Sequence, residues 1–386
     1  MKVGILTFHN ANNYGAVLQA YAMVERLKQN NIDAEIIDYQ SSVFDNYKLF
    51  RTHLYKKLPY MLAVDLAKYP MKRRRKNNFD AFRKRFLPIS SRAYYKSSDF
   101  EGISEQYDYF ISGSDQIWNP QLTNGFDGVY FLDFVSNSHK KIAYAPSVSL
   151  KRLNEFQIAA ISDYMSSYGA LSIREQETID ILQPYCEKEI LKTCDPVFLL
   201  DNSCYDKICS DTYKGKNFVF LYVVGTAKAF QNVIQYAEET ARDKGLDLYY
   251  VISANKTLYR IHGNNVYGCS PSDFLSLIKN ARYVISNSFH ATAFSILFSK
   301  QFVTFLKREN DSRISDLVSE FHLQDRIFGQ DNRTDPFDTQ IDYSQLKQTL
   351  QAFRKNSDDY LLAALGIGKG GSLEPLKTDL SFEEKK

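Results

Sequence analysis

VGILTFHNANNYGAVLQAYAMVERL (residues 3–27) begins as a short apolar run, breaks into an Asn-rich polar loop, and resumes with Val17, Ala20, Tyr21, Val24 and Leu27 at helical spacing. A short apolar run bounded by polar residues reads as a strand buried on both faces. AEIIDY (34–39) supplies a second strand, and the resulting βαβ unit opens a parallel α/β sheet. The rhythm continues through YDYFISG (107–113), VYFLDF (129–134) and KIAYAPSVS (141–149), with a helix expected over 154–167. ALSIRE (170–175), a helix reaching Leu182, and EILKTCDP (189–196) lead into a second half. There NFVFLYVV (217–224), LDLYYVIS (246–253), NNVYG (264–268), YVISN (283–287) and FVTFL (302–306) alternate with helical segments. The fold expected is α/β: two doubly wound, Rossmann-like domains facing across a cleft, spanning 1–168 and 169–345. A basic helical insertion over 47–98 interrupts the first domain, with helices ending near Pro70 and before Pro88. Residues 346–386 are expected to give a closing helix and a mobile tail.

A chain of 386 residues is long enough for two cores, and 44% hydrophobic with 24% charged residues is ordinary for a soluble protein. The 27 Tyr and 27 Phe suit either dense cores or a cleft that stacks on flat ligands and sugar rings. The net charge of +3 is unevenly spread: residues 47–98 hold 15 Lys/Arg against 2 Asp/Glu, including KRRRK at 72–76. Such a segment is either a solvated face or a patch that attracts a membrane surface, a diphosphate or nucleic acid. Five cysteines without CxxC spacing suggest neither a disulfide framework nor a zinc site, and read as reduced thiols. Met1 leads directly into a strand, and no apolar run approaches the roughly 20 residues that span a bilayer. A cytoplasmic protein is expected.

Ligands of open α/β sheets bind outside the carboxyl ends of the strands, and five such ends carry reactive side chains. FHNANNYGAVLQ (8–19) places Asn12 and Gly15 near a helix N-terminus, where backbone N–H groups can hold an anion or sugar hydroxyls; an Asn13 cap explains it equally. ISGSDQIWNP (111–120) turns abruptly polar at Ser114, Asp115 and Gln116, a turn open to a ligand or merely capped. SIREQET (172–178) ends a strand with Arg174, suited to gripping carboxylate or phosphate, or to an internal ion pair with Glu175 or Glu177. CDPVFLL (194–200) ends a strand at Asp195, with Pro196 keeping its predecessor extended, so stiffening is the favoured reading. ISNSFHATAF (285–294) puts His290 in the first turn of a helix that Ser286 and Ser288 can cap. A bound phosphate there favours the imidazolium, which suits general-acid work; a structural histidine is the plainer alternative.

In this order and spacing, GILTFHNANNYGAVLQAYAM, ISGSDQIWN, SIREQETIDIL, DPVFLL and ISNSFHATAFSILFSKQFVTF resemble the polysaccharide pyruvyl transferase family, from about residue 3 to Arg326. The resemblance implies two domains in a GT-B-like arrangement with the active site in the cleft. It implies transfer of the enolpyruvyl unit of phosphoenolpyruvate to a sugar as a pyruvate ketal, with phosphoenolpyruvate a substrate and no cofactor or metal needed. His290 corresponds to the catalytic histidine and Arg174 to the substrate arginine, with Ser286 and Ser288 beside the donor. Asn12, Gly15, Ser114, Asp115 and Gln116 are expected to line the acceptor side. Many members carry an arginine two residues before the histidine, where this chain has Ser288; Lys307, Arg308 and Arg313 are the candidates to replace its charge. The basic insertion suggests a lipid-linked saccharide acceptor and contact with the inner membrane face, with nucleic acid not expected as a partner. The competing reading is a GT-B glycosyltransferase with a nucleotide-sugar donor; a non-enzymatic binding module built on the insertion is a weaker rival.

Overall fold

The apolar runs form two wholly parallel sheets in the computed structural model, which describes residues 1–367 except 43, 45–47, 51, 57, 149–152, 226–229, 254–260, 307–311 and 330–334. In chain order the first half runs β1 (Lys2–Leu6), α1 (Tyr14–Gln29), β2 (Asp33–Tyr39), α2 (Thr52–Tyr55), α3 (Tyr60–Ala67), α4 (Tyr69–Phe86), β3 (Ile89–Tyr94), β4 (Tyr109–Ser112), β5 (Lys141–Ala143), α5 (Glu155–Ser166), β6 (Ala170–Ile173), α6 (Gln176–Leu182) and β7 (Leu191–Lys192). The second half runs α7 (Asn202–Asp206), β8 (Phe218–Val224), α8 (Gln231–Asp243), β9 (Asp247–Ser253), β10 (Asn264–Asn265), α9 (Pro271–Asn280), β11 (Tyr283–Ser286), α10 (Phe289–Leu297), β12 (Gln301–Thr304), α11 (Ser312–Glu320) and α12 (Tyr343–Ala364). The sheet orders are β3-β2-β1-β4-β5-β6-β7 and β10-β9-β8-β11-β12. Each order reverses once, between β1 and β4 and between β8 and β11. These switch points are where doubly wound sheets open a crevice.

Several expectations need correction. The division at 168/169 cuts through one sheet, because Ile142 and Ala143 of β5 pair with Ala170 and Leu171 of β6, and β6 pairs with β7. The first sheet therefore extends to Lys192. VYFLDF is not a strand: Gly128–Phe131 is a 3-10 turn capped by Asp127, with Val129, Tyr130 and Phe131 buried. An apolar run alone cannot separate a strand from a buried turn. Within the insertion, α3 ends at Ala67, close to Pro70, and Pro70 itself sits in the first turn of α4, a position where its missing N–H costs nothing. Residues 89–94 form the edge strand β3, which is too polar to announce itself by hydropathy. The closing helix forms as α12; the tail, 368–386, lies outside the described residues.

Aromatics fill the cores. Trp118 is fully buried and stacks on Phe131 with ring centroids 4.8 Å apart, while Tyr14 of α1 stacks on Phe274 of α9 at 4.4 Å. The second pair joins the two halves, and the Tyr14 hydroxyl also donates to the Cys269 carbonyl at 3.1 Å. Helix α12 straps both halves: the Tyr343 hydroxyl donates to the Lys300 carbonyl, the Tyr360 hydroxyl to that of Ala143. All five cysteines are unbridged. No helix among the described residues is long and apolar enough to cross a membrane.

Candidate active site

Strand ends bring the polar loops together. β6 delivers Arg174, the segment after β7 delivers Asp195, and β11 leads through Asn287 into α10, whose second residue is His290. Asn287 fixes this turn by bonding both backbone groups of Val224, at 2.8 and 3.0 Å. Ser288 occupies the N-cap of α10 but makes no side-chain cap bond, and the Ser286 hydroxyl accepts from the Ser288 N–H at 3.0 Å. The helix thus begins without a side chain over its first turn, so its positive end is available to an anion.

One carboxylate oxygen organises the site. Asp195 Oδ2 lies 2.6 Å from Arg174 Nη1 and 3.4 Å from His290 Nε2; the latter contact is close enough for charge attraction but not aligned as a hydrogen bond. Arg174 Nε also donates to Glu175 Oε1 at 3.1 Å, and the guanidinium lies 4.4 Å from the Phe289 ring centroid. Burial opposes the Arg174 charge, but Glu175, Asp195 and Asp115 outweigh it and raise its pKa. Burial likewise opposes ionisation of Asp195, yet His290 and Arg174 hold its carboxyl below the ordinary range. Three buried polar atoms here lack a hydrogen-bond partner: Arg174 Nη2, Glu175 Oε2 and His290 Nε2. Unmatched buried polar atoms are costly in a resting protein and invite a polar ligand.

The other half of the molecule closes on the histidine. A Cβ added to Gly15 would stand 2.0 Å from His290 Nδ1, so only glycine admits the ring. Asn13 caps α1 by accepting from the Gly15 and Ala16 N–H groups, which fixes that approach. Deep within the basic insertion, Arg75 and Arg83 are buried and grip the same loop. Arg75 donates to the Asn12 carbonyl at 2.6 Å, while Arg83 donates to the Ala11 carbonyl and, at 2.9 Å, to Asn12 Oδ1.

At the β4 turn, Gly113 has φ 130° and its Cβ would meet the Tyr144 carbonyl oxygen at 2.0 Å. Ser114 is fully buried and its hydroxyl donates to the Ala145 carbonyl, so it fixes the turn and presents no hydroxyl to a ligand. Asp115 Oδ1 accepts from the Gln116 N–H, and Gln116, partly exposed, accepts from Asn119. Arg313 of α11 lines a small recess together with Arg174, Lys192, Asp195 and Phe289. Lys307 and Arg308 lie outside the described residues. No cluster of three His, Cys, Asp or Glu is placed to hold a metal ion among the described residues.

Comparison with known proteins decides the family. The sequence model of the polysaccharide pyruvyl transferases matches residues 13–306. This chain belongs to that family. No curated protein matches it in sequence. Among solved structures, a UDP-N-acetylglucosamine 2-epimerase shares 11% identity over 96% of this chain and 97% of its own, with a TM-score of 0.51. The UDP-N-acetylglucosamine 2-epimerase from Rickettsia bellii shares 9% identity over 94% and 95%, with a TM-score of 0.50. At such identities the likeness speaks for the fold alone, which is the GT-B-like pairing of two α/β domains. In this pyruvyl transferase family member, the structure brings His290, Arg174 and Gly15 into one site, with Arg313 in the adjoining recess.

Two features were missed from sequence. Asp195 read as a stiffened strand end, yet it stands between the two principal side chains; its signal was the acid directly before Pro196 at a strand terminus. His9, fully buried at the exit of β1, lies with Nε2 2.8 Å from Asp38 Oδ1, an oxygen also reached by Asn10 and Gln40. His9 and Asp38 fall at the carboxyl ends of the neighbouring strands β1 and β2, which is the signal that could have paired them.

Proposed function

We propose that this pyruvyl transferase moves the enolpyruvyl group of phosphoenolpyruvate onto two hydroxyls of a saccharide. The observation that carries the reading is the convergence of an uncapped helix N-terminus, an unpartnered Arg174 Nη2 and an unpartnered His290 Nε2 around one carboxylate. A phosphate or carboxylate of the donor satisfies the first two groups. His290 gives its proton to the methylene carbon, leaving C2 electron-poor, and a sugar hydroxyl adds there. The C2–O bond to phosphate then breaks, the second hydroxyl closes the ketal, and phosphate leaves. Of the two hydroxyl protons, one replaces that lost by His290 and the other leaves with phosphate. Asp195 orients the imidazole and supplies negative charge beside it as the proton moves. Arg313 takes the place of the family's arginine, where Ser288 carries no charge. The basic insertion favours an acceptor linked to a lipid diphosphate, handled at the inner membrane face.

The test is to incubate the protein with saccharide acceptors and either phosphoenolpyruvate or nucleotide sugars. Release of phosphate with a ketal-bearing product supports the reading. Release of nucleotide with phosphoenolpyruvate inert assigns the chain to the competing glycosyltransferase class.

A further inference from the structure

Helix α3 is built inside out. Its sequence, YMLAVDLA, contains one charged residue, Asp65, and that residue is the buried one, paired with Lys72 Nζ at 2.6 Å and with the Tyr55 hydroxyl at 3.0 Å. The apolar side chains face outward instead: Tyr60 is 59% exposed, Leu62 44% and Leu66 57%. Phe50, Leu58 and Met71 are exposed beside them, so six of the twelve exposed large hydrophobics described fall within residues 50–71. A contiguous exposed apolar face on a soluble protein marks an interaction surface.

Its surroundings indicate the partner. Lys56, Arg73 and Arg74 are exposed, and residues 47–98 carry a local charge of +13 from 15 cations and 2 anions. Apolar side chains ringed by Lys and Arg match the two layers of an anionic bilayer surface, phosphate outside and acyl chains beneath. Aromatic Tyr60 and Tyr69, the latter under Arg73 at 5.9 Å, suit the depth between these layers. Helix α4 runs from this face to the active-site loop: from Met71 to Arg83, which holds Asn12, is roughly 18 Å at the helical rise.

We infer that α3 and the start of α4 form a docking surface for an anionic lipid bilayer, with Leu62 and Leu66 entering the interface and Arg73 and Arg74 meeting lipid phosphates. This rests on exposure and charge, independently of the reaction assigned above. The experiment is co-sedimentation of the full chain with vesicles of pure phosphatidylcholine and with vesicles rich in phosphatidylglycerol, at low and raised salt. The wild type binds the anionic vesicles and is released by salt. Arg73→Glu/Arg74→Glu weakens binding by about tenfold or more, and Leu62→Gln/Leu66→Gln does so comparably, both with melting temperatures unchanged. Equal recovery with both vesicle types overturns the inference, as does binding unaffected by either double variant. A dimer in solution that Leu62→Gln/Leu66→Gln converts to monomer, with no vesicle binding, reassigns the face to a second copy of this chain. Because no turnover is measured, failure here leaves the proposed reaction standing.

Discussion

At the scale of single residues, the site depends on charges that neutralise one another before any ligand arrives. Arg174 lies between Asp195 and Glu175, all three buried. Arg174→Met therefore strands two carboxylates away from water and is expected to cost about 3–5 kcal/mol of stability in denaturant titration. His290→Ala, by contrast, removes a buried ring whose Nε2 has no hydrogen bond; it should leave the chain folded with a lowered melting temperature while lowering kcat about a hundred- to ten-thousand-fold. Gly15→Ala drives a methyl into the imidazole, at 2.0 Å from Nδ1 before relaxation. Helix α1 itself accepts alanine well, so the expected signature is lost turnover in a folded protein, read by activity and circular dichroism together. Wild-type kcat in Gly15→Ala would contradict the placement of the ring against the other domain.

At the scale of elements, the strand-end rule drew the right loops from sequence because a parallel strand is an apolar run that stops abruptly. Arg174, Asp195 and His290 all follow such stops. What hydropathy could not show was which of these loops meet, since Asp195 reaches His290 only after α7 to α10 have folded between them. Polar β3 and the apolar 3-10 turn at Gly128 were illegible for opposite reasons: one lacks the run, the other has it without the extended backbone. Element burial also has a pH signature. Lys141 of β5 is buried, and burial lowers its pKa from 10.5 to about 8, with Asp133 opposing and Lys188 adding to the shift. Between about 8 and 10.5 the folded chain has released a proton that the unfolded chain keeps, so stability rises with pH across that window and is lost as pH falls through 8. Lys141→Met should flatten this slope and raise the melting temperature at neutral pH by a few degrees; an unchanged slope would place the titration elsewhere.

At the scale of the whole molecule, the two sheets are tied by buried aromatics, by α4 and by α12, and they meet where Gly15 covers His290. Asn78 of α4 donates to the Gly268 carbonyl while Arg75 and Arg83 hold the opposite loop, so the basic insertion is a structural bridge on one side and an exposed cationic surface on the other. That double use explains why its charge alone was ambiguous: of the cations in KRRRK, Arg75 is buried and Arg73 and Arg74 are exposed. His290 is only 9% exposed because the β1–α1 loop, at Gly15, packs directly against its ring. The account turns on His290 protonating the methylene carbon of phosphoenolpyruvate. The most direct measurement is turnover in deuterium oxide, with the product's methyl group analysed by mass spectrometry and NMR. The account predicts a single deuterium in each new ketal methyl and product formation slowed at least about a hundredfold in His290→Ala; a ketal free of deuterium, or His290→Ala turning over at the wild-type rate, would contradict it.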